Sequence, residues 1–287
     1  MIQDLSYGTL DNQYRYLQPQ DEDMVVCVRG NGILFCRKED NTLEMPTVAQ
    51  VKGWNSGWEQ WLEEGFRYVF TLQDRRYFLW LGKAEQPEDE SWFFLPAPVV
   101  REPESRDLCF GAMTAWHLYC WYRDNRFCGR CGHTTVHDSK ERMMRCPECG
   151  NMIFPKIAPA AIIALTHGDK LVLARSTNGN VTRYGLLAGF IEIGETAEQA
   201  VAREVMEEVG LKVKNIRYYK SQPWGIAGNL SIGYFCDLDG DDETITLDEN
   251  ELAGAEWFHR DAIPAKDDGI SLTREMIRLF EEGKEPR

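Results

Sequence analysis

The sequence has no run of 18 apolar residues, so we expect no membrane-spanning helix. Its first residues, MIQDLSYGTLDNQ, contain neither a basic segment nor an apolar core, and this argues against a secretory signal peptide. Basic residues are also scarce: 46 acidic side chains against 32 basic ones give a net charge of −14. Such a surface repels bulk nucleic acid, and an anionic substrate would depend on bound metal to neutralise its charge. These features predict a cytoplasmic protein.

The cysteines do not indicate a disulfide framework, because there are nine of them and most are widely spaced. Five lie singly within apolar stretches and are expected to be reduced core residues. These are Cys27, Cys36, Cys109, Cys120 and Cys236. A cytoplasmic protein with reduced thiols fits this usage.

The other four cysteines form the pattern C-x2-C-x14-C-x2-C, at Cys128, Cys131, Cys146 and Cys149. Each pair on a tight turn can present two thiolates to one ion, and the spacer can return the chain as a hairpin. The pattern predicts a closed, structural zinc site with four cysteine ligands. A redox role would fit one such pair but poorly fits two. His133 and His137 are surplus to four ligands and are expected at the surface.

This cysteine module carries more basic than acidic side chains, although the whole chain is acidic. The basic residues are Arg123, Arg126, Arg130, Lys140, Arg142 and Arg145. Solvation is the ordinary explanation for such charges. Contact with a nucleotide or an RNA tail is the alternative.

A second pattern lies at 189–211, GFIEIGETAEQAVAREVMEEVGL. Thr196 followed by Gln199 is a capping box, and Gly210 can end a helix, so a helix is predicted over roughly 196–209. At about 100° per residue, Ala202 is expected to share an apolar face with two valines, Val205 and Val209. Three carboxylates, Glu204, Glu207 and Glu208, are expected on the opposite face.

Glutamates gathered on one turn behind a glycine-rich loop are typical of a Mg²⁺ site, since this ion takes oxygen ligands and bridges to phosphates. Glu204 and Glu208 are four residues apart and would repel each other without a cation. The alternative is a plain exposed acidic helix. Against it, only Arg203 among the neighbouring residues is basic.

The rest of the chain predicts an α/β protein. Residues 1–105 are expected to be β-rich, with hairpins near 30–32 and 73–76. A connecting helix and the cysteine module follow over 106–155. Residues 156–287 then alternate strands with helices, including strands near 213–221, 229–238 and 254–258 and a last helix over 272–282. This order predicts an α/β/α sandwich around a mixed sheet.

The residues at 189–211 match the Nudix box, G-x5-E-x7-R-E-U-x-E-E-x-G-U with U apolar, at all nine fixed positions. These are Gly189, Glu195, Arg203, Glu204, Val205, Glu207, Glu208, Gly210 and Leu211. With a zinc ribbon before this box and SQPW at 221–224 after it, the chain resembles the NADH pyrophosphatases among the Nudix hydrolases. The resemblance covers about 125–282.

The resemblance implies hydrolysis of NAD(H) to NMN(H) and AMP, with zinc structural and Mg²⁺ or Mn²⁺ catalytic. Family members are typically homodimers with a degenerate Nudix-like N-terminal domain, here 1–105. Some remove NAD caps from RNA, which makes NAD-capped RNA a second expected substrate. Another dinucleotide substrate, such as ADP-ribose, FAD or a diadenosine polyphosphate, stays open. A non-catalytic nucleotide sensor is the alternative outside enzymes, and the intact glutamates argue against it.

The family's metal ligands fall on the Ala188 carbonyl, Glu204, Glu208 and a downstream glutamate, Glu251, with Glu249 as second choice. Glu207 completes the carboxylate set, and Arg203 is expected to orient Glu204 or its neighbours. A glutamate of this set would accept the proton of the attacking water. The remaining predictions are substrate contacts: Glu141, Phe154, Phe190, Gln222, Pro223, Trp224, Gly225, Ile226, Ala227, Gly228, Asn229 and Thr273.

One segment departs from the family. The family loop normally reads SQPWPFPxS, whereas this chain reads SQPWGIAGN at 221–229. Two prolines and an aromatic ring are replaced by Gly225, Ala227 and Ile226, so the loop loses stiffness and a stacking ring. Hydrolysis of the diphosphate should survive this change, and the preference for NADH is what it puts in question.

Overall fold

The computed structural model describes residues 1–55, 65–97, 105–177, 184–264 and 268–286. The chain divides into two compact units. The catalytic unit contains Met1, residues 157–224 and residues from 229 onward, and the ribbon unit contains residues 2–156 and 225–228. The predicted cysteine module is thus grouped with the N-terminal residues. Within the described ranges, no helix is both long and apolar enough to cross a membrane.

The ribbon unit is rich in strands, as predicted for its N-terminal part. Its first seven strands are β1 Leu10–Asp11, β2 Met24–Arg29, β3 Gly32–Arg37, β4 Leu43–Glu44, β5 Phe66–Leu72, β6 Arg75–Trp80 and β7 Trp92–Pro96. They form one mixed sheet in the order β1-β5-β6-β2-β3-β4, with β7 beside β3. Both predicted hairpins are confirmed, and their turns use the left-handed residues Gly30, Gln73 and Asp74.

Two helices and a small second sheet complete the ribbon unit. The helices are α1 Val48–Trp54 and α2 Arg106–Asp124, the latter at the predicted position of the connecting helix. The small sheet contains β8 Val136–His137, β9 Met144–Arg145 and β10 Met152–Ile153, in the order β10-β9-β8. β8 and β9 lie in the spacer between the two C-x2-C pairs, and β10 follows the second pair. Because β8 and β9 pair in antiparallel fashion, the spacer does return as a hairpin.

The catalytic unit is the predicted α/β/α sandwich. Its strands are β11 Ala158–His167, β12 Lys170–Ser176, β13 Leu187–Phe190, β14 Val213–Trp224, β15 Asn229–Leu238 and β16 Leu252–His259. Their order is β14-β15-β11-β12-β16, with β13 beside β11 and a parallel pairing of β11 with β15. Helix α3, Ala197–Val209, packs on one side of the sheet through Val201, Val205 and Val209. Helix α4, Leu272–Glu281, packs on the other through Met276, Ile277 and Phe280.

None of the nine cysteines forms a disulfide bond. Of the five outside the cysteine module, Cys27, Cys109 and Cys236 are buried as predicted, while Cys36 and Cys120 are half-buried. Burial raises the pKa of Cys236 to about 12. A thiol held in its neutral form is a poor nucleophile, so this cysteine is a packing residue.

Candidate active site and zinc centre

Helix α3 begins and ends as its sequence predicts. Thr196 accepts a hydrogen bond from the backbone N–H of Gln199, whose side chain accepts one from the backbone N–H of Thr196. At the other end Gly210 takes a left-handed conformation and donates its N–H to the Met206 carbonyl. These local interactions define the helix ends, and buried Val201 and Val205 set its rotation on the sheet.

The predicted division of α3 into two opposite faces is wrong. Ala202 is exposed, whereas Glu204 and Glu208 are only 8% and 5% exposed. The reason is angular: three residues advance a helix by about 300°, so Glu208 lies about 60° from Val205 rather than opposite it. Two of the three carboxylates therefore lie at the edge of the core, and only Glu207 is exposed.

Glu208 is held in an environment that disfavours its charge. Burial and the neighbouring carboxylate of Glu204 raise its pKa to about 8. Burial also raises the pKa of Glu204. The Oε2 atom of Glu208 is buried and has no hydrogen-bond partner among the described residues. Two adjacent buried carboxylates with an unpartnered oxygen are the donor set that a hard divalent cation satisfies.

Gly189 makes room for Glu204. A Cβ atom built on Gly189 would lie 1.9 Å from the carboxyl carbon of Glu204, closer than any packing permits. Gly189 lies in β13, directly before Phe190, and this strand runs past α3. The glycine is therefore needed so that the strand and the carboxylate can approach each other.

Arg203 connects the loop before the helix to the carboxylates. Its guanidinium donates two hydrogen bonds to Glu195, at 2.8 and 2.9 Å, and a third to the Phe190 carbonyl at 2.9 Å. The Nη1 atom also lies 2.7 Å from Glu204 and 2.8 Å from Glu207. These bonds raise the pKa of Arg203 further, and Arg203 lowers the pKa of Glu195. Arg203 thus contacts the carboxylates that it was predicted to orient, and its role as a positioning residue stays a prediction.

The four cysteines of the cysteine module, Cys128, Cys131, Cys146 and Cys149, lie close together. Their sulfur atoms all lie within 4.8 Å of one another, with separations of 3.6 Å for Cys128–Cys149 and 3.4 Å for Cys131–Cys146. A tetrahedral zinc with bonds of about 2.3 Å needs sulfurs about 3.8 Å apart, so the set fits that ion. The Arg130 backbone N–H lies 3.4 Å from the Cys128 sulfur and lowers the pKa of this thiol to about 6, which favours the thiolate ligand.

The two histidines of this module differ. His133 is exposed, as predicted, but His137 is half-buried against Tyr122, with ring centres 5.0 Å apart. Burial lowers the pKa of His137 to about 4. The prediction that His137 is a surface residue is therefore wrong, because the β8–β9 hairpin folds back on the end of α2.

Comparison with known proteins agrees with both sites. A model of the NUDIX domain matches residues 156–280, and a model of the NADH pyrophosphatase zinc ribbon domain matches residues 123–154. The NAD-capped RNA hydrolase NudC of Haemophilus influenzae is 34% identical over 223 residues, which cover 75% of this chain and 81% of that protein. This chain belongs to the NADH pyrophosphatase family of Nudix hydrolases. The resemblance seen in the sequence is confirmed.

Further matches cover shorter stretches. The NAD-capped RNA hydrolase NudC of Pseudomonas aeruginosa is 41% identical over 160 residues, which cover 56% of this chain and 57% of that protein. A crystal structure of a NUDIX hydrolase from Nitrosomonas europaea aligns with 22% identity and a TM-score of 0.48. That alignment covers 55% of this chain and 91% of that one.

Within the Nudix site, the loop before β16 is attached to the end of α3. The Asp248 N–H donates to the Glu208 carbonyl at 3.1 Å, and the Thr246 N–H donates to the Val209 carbonyl at 2.9 Å. The charge of Glu251, at the end of this loop, contributes to the raised pKa values of Glu204 and Glu208. The choice of Glu251 over Glu249 as the downstream ligand stays a prediction.

Sequence reasoning did not identify the role of this loop. Gly210 was predicted only as a helix stop, yet its ideal Cβ would also lie 2.9 Å from the Cβ of Thr246. The glycine thus serves two purposes, because it ends the helix and lets the loop carrying Glu251 approach. The contact is between residues 36 positions apart, so no local pattern could indicate it.

The other predicted site residues occupy varied environments. The Ala188 backbone N–H hydrogen-bonds to the Glu208 carboxylate, so this residue does lie beside the carboxylates. Phe190 is exposed and available for stacking. Gln222 is buried, and its amide bonds to the Ile270 carbonyl and the Leu272 N–H, which gives it a structural role at the start of α4. Thr273 is half-buried in the first turn of that helix.

The remaining predicted substrate contacts divide between the units. Pro223, Trp224 and Asn229 belong to the catalytic unit, whereas Glu141, Phe154 and the turn Gly225–Gly228 belong to the ribbon unit. Ile226 and Ala227 lie in that turn. Gly225 lies against α2, since its ideal Cβ would be 2.2 Å from the Met113 carbonyl oxygen. Their roles as substrate contacts stay predictions.

We expect Arg203→Lys to lower kcat/KM by about 10- to 100-fold, the usual effect of losing a group that orients metal ligands. A lysine keeps the positive charge but cannot bridge Glu195, Glu204 and the Phe190 carbonyl at once. The dependence of rate on metal concentration should shift in the same direction. Arg175→Lys, in β12, is a matched control for loss of a guanidinium outside this network. Equal rates for Arg203→Lys and the parent protein would contradict the positioning role.

Proposed function

We propose that this protein hydrolyses the diphosphate bond of a dinucleotide, with NAD(H) as substrate and NMN(H) and AMP as products. The observation that carries the proposal is the pair of buried carboxylates, Glu204 and Glu208, with an unpartnered oxygen on Glu208. A purely structural helix would not retain two repelling carboxylates at the edge of its core. The names of the relatives add the dinucleotide and, with it, NAD-capped RNA as a second substrate.

Glu204, Glu208, Glu251 and the Ala188 carbonyl would hold the catalytic metal, for which we propose Mg²⁺ or Mn²⁺. When bound, such an ion neutralises the diphosphate and lowers the pKa of the attacking water. Arg203 keeps Glu204 and Glu207 in place through bonds of 2.7 and 2.8 Å. A glutamate of the set takes the proton of the water. Because water is the nucleophile, the reaction needs no covalent intermediate with the protein.

The ring of Phe190 is exposed. The backbone carbonyl of Phe190 accepts a hydrogen bond from Arg203, which also contacts the carboxylates. A base or nicotinamide ring stacked there would place the diphosphate near the glutamates. Phe154 and Glu141 are proposed as further substrate contacts. We also propose that the protein forms a homodimer, that it is located in the cytoplasm, and that its domain boundaries lie at residues 105 and 155.

The function is tested by turnover of NADH with Mg²⁺ or Mn²⁺, beside ADP-ribose, FAD and a diadenosine polyphosphate. The proposal expects the largest kcat/KM for NADH or NAD⁺, with NMN(H) and AMP as products. A larger kcat/KM for another dinucleotide would support diphosphate hydrolysis but would mean that this dinucleotide, and not NAD(H), is the preferred substrate. Binding of nucleotides without any turnover would instead establish a sensor.

The altered turn provides a sharper test of substrate preference. Restoring the family's aromatic and second proline, as Ile226→Phe with Ala227→Pro, should raise the preference for NADH over ADP-ribose and FAD by about 5- to 150-fold, the value of one stacked ring. Gly225 must stay glycine, because any Cβ there meets the Met113 carbonyl at 2.2 Å.

The control for this double variant is Ile226→Leu, which keeps the size of the side chain without a ring. An unchanged ratio of the kcat/KM values in the restored variant would mean that this turn does not determine specificity. A loss of turnover on every substrate would point instead to disturbed packing of the turn, which melting temperatures of both variants would reveal.

A further inference from the structure

The small sheet of the cysteine module has one packed face and one open face. On the packed face, His137 pairs with Met144 across β8 and β9. Met144 is buried, and the ring of His137 packs against Tyr122 of α2, with the ring centres 5.0 Å apart and the ring planes tilted by 45°. Residues directly opposite each other on neighbouring strands share a face, so this pair defines the inner side.

The next row of the same sheet points outward. Arg145 pairs with Val136 on one side and with Met152 on the other, which places all three on one face. Val136 is 49% exposed and Met152 is 53% exposed. Phe127 is 61% exposed and pairs with Thr134, two residues before Val136. We call Phe127, Val136, Arg145 and Met152 the ribbon face.

Small zinc modules bury little surface. The stability of such a module does not require four large, adjacent side chains that are exposed to solvent. The zinc ligands and the inner row already supply the fold. Among the described residues, nothing packs over the ribbon face. Its chemistry combines an aromatic ring, a polarisable thioether and a central guanidinium.

Three arginines, Arg126, Arg130 and Arg145, lie on or beside the face, within a module that has six basic and four acidic side chains over 123–154. Arg145 forms one ion pair, at 3.5 Å to Asp138, and its side chain is 43% exposed, which leaves further N–H donors free for an anion. Arg126 and Arg130, beside Phe127 in the same segment, are exposed and form no ion pair within the described ranges. This local positive charge contrasts with the net charge of −14 of the whole chain.

We propose that the ribbon face binds unpaired bases and phosphates of an RNA chain, and this rests on the proposed activity toward NAD-capped RNA. Exposed aromatic groups stack with bases of any sequence, while guanidinium groups contact phosphates. A duplex would hide the flat surfaces of its bases, so the partner is single-stranded. Holding the RNA chain raises the affinity for capped RNA and leaves free dinucleotides unaffected.

The test compares kcat/KM for NADH with that for a NAD-capped, unstructured RNA of about ten nucleotides, within the usual site size of such surfaces. Phe127→Ala combined with Met152→Ser should lower kcat/KM for the capped RNA by about 5- to 150-fold and leave NADH unchanged. Arg145→Gln should lower the salt dependence of the RNA reaction. Tyr7→Ala removes an equally exposed aromatic ring of the same unit outside the face and is the control.

The possible outcomes distinguish the proposal for the ribbon face from the proposed hydrolytic function. Equal losses on NADH and capped RNA, or no loss on either, would overturn the ribbon face as an RNA surface. A variant that becomes monomeric where the parent protein is dimeric, measured by light scattering, would assign the face to a second copy of the chain. If the parent protein hydrolyses neither substrate, the proposed function fails, and fluorescence anisotropy with uncapped single-stranded RNA still tests the face. Zinc content and melting temperature establish that each variant is folded.

Discussion

Replacing Glu208 with glutamine should lower kcat by roughly 10³-fold while the protein stays folded. A metal ion contributes several kcal/mol to the transition state, and each 1.36 kcal/mol corresponds to tenfold in rate. The glutamine keeps the shape of the side chain but cannot supply the anionic ligand. Glu204→Gln should act in the same way. Steady-state rates with NADH at saturating Mg²⁺ measure the effect.

The same variant should behave distinctively in thermal melts. Without metal, Glu208→Gln should melt no lower than the parent protein, since it removes a buried group whose charge is opposed by burial and by Glu204. On addition of Mg²⁺ or Mn²⁺, the parent protein should gain stability through binding, and the variant should gain less. This pattern distinguishes a lost ligand from a damaged core.

Glu198→Gln is the matched control, because Glu198 is an exposed acid in the first turn of the same helix. It should leave both the rate and the metal-dependent stabilisation unchanged. Near-normal turnover of Glu208→Gln at saturating metal would show that the carboxylate pair is not required for catalysis. A large fall in the metal-free melting temperature would show that Glu208 serves mainly to stabilise the fold.

Loss of one zinc ligand is expected to have the largest effect on the ribbon unit. Cys128→Ser or Cys146→Ser should reduce the bound zinc from one ion per chain to none, and the segment 125–155 should lose its protection against amide exchange. Structural zinc contributes about 10–16 kcal/mol in isolated zinc-finger peptides, and a module of this size has little other core. Cys128 and Cys146 are the two buried members of the four-sulfur cluster.

Cys120→Ser provides the control, since this thiol is half-buried on α2 and is not one of the four ligands. Its zinc content, by elemental analysis, should equal that of the parent protein. Some attachment of the module should survive zinc loss, because Arg142 donates to the Val69 carbonyl at 2.6 Å. A parent protein that contains no zinc and yet melts cooperatively with full exchange protection would refute the assignment.

Local features of the chain could be predicted from the sequence because short-range interactions determine them. The capping box at Thr196, the left-handed turn at Gly210 and the hairpin after Arg29 all rest on contacts within about four residues. The two C-x2-C turns belong to the same class. The resemblance to the Nudix family could also be recognised in the sequence, since the nine fixed positions lie within 23 consecutive residues.

The environment of the carboxylates was not predictable in this way. The helical arrangement places Glu204 and Glu208 close together, but their burial depends on β13, where an ideal Cβ on Gly189 would lie 1.9 Å from the carboxyl carbon of Glu204. The raised pKa of Glu208 follows from that burial. Periodicity describes one helix, whereas desolvation depends on everything packed around it.

The sequence by itself therefore determined the helix ends, the hairpins, the zinc ligands and the identity of the acidic cluster. Tertiary structure alone decided which carboxylates are buried, how the loop bearing Glu251 attaches to Glu208 and Val209, and why Gly225 cannot carry a side chain beside Met113. These three features join residues that are far apart in the chain. Such contacts form only when separate elements pack, and packing selects among the conformations that local preferences leave open.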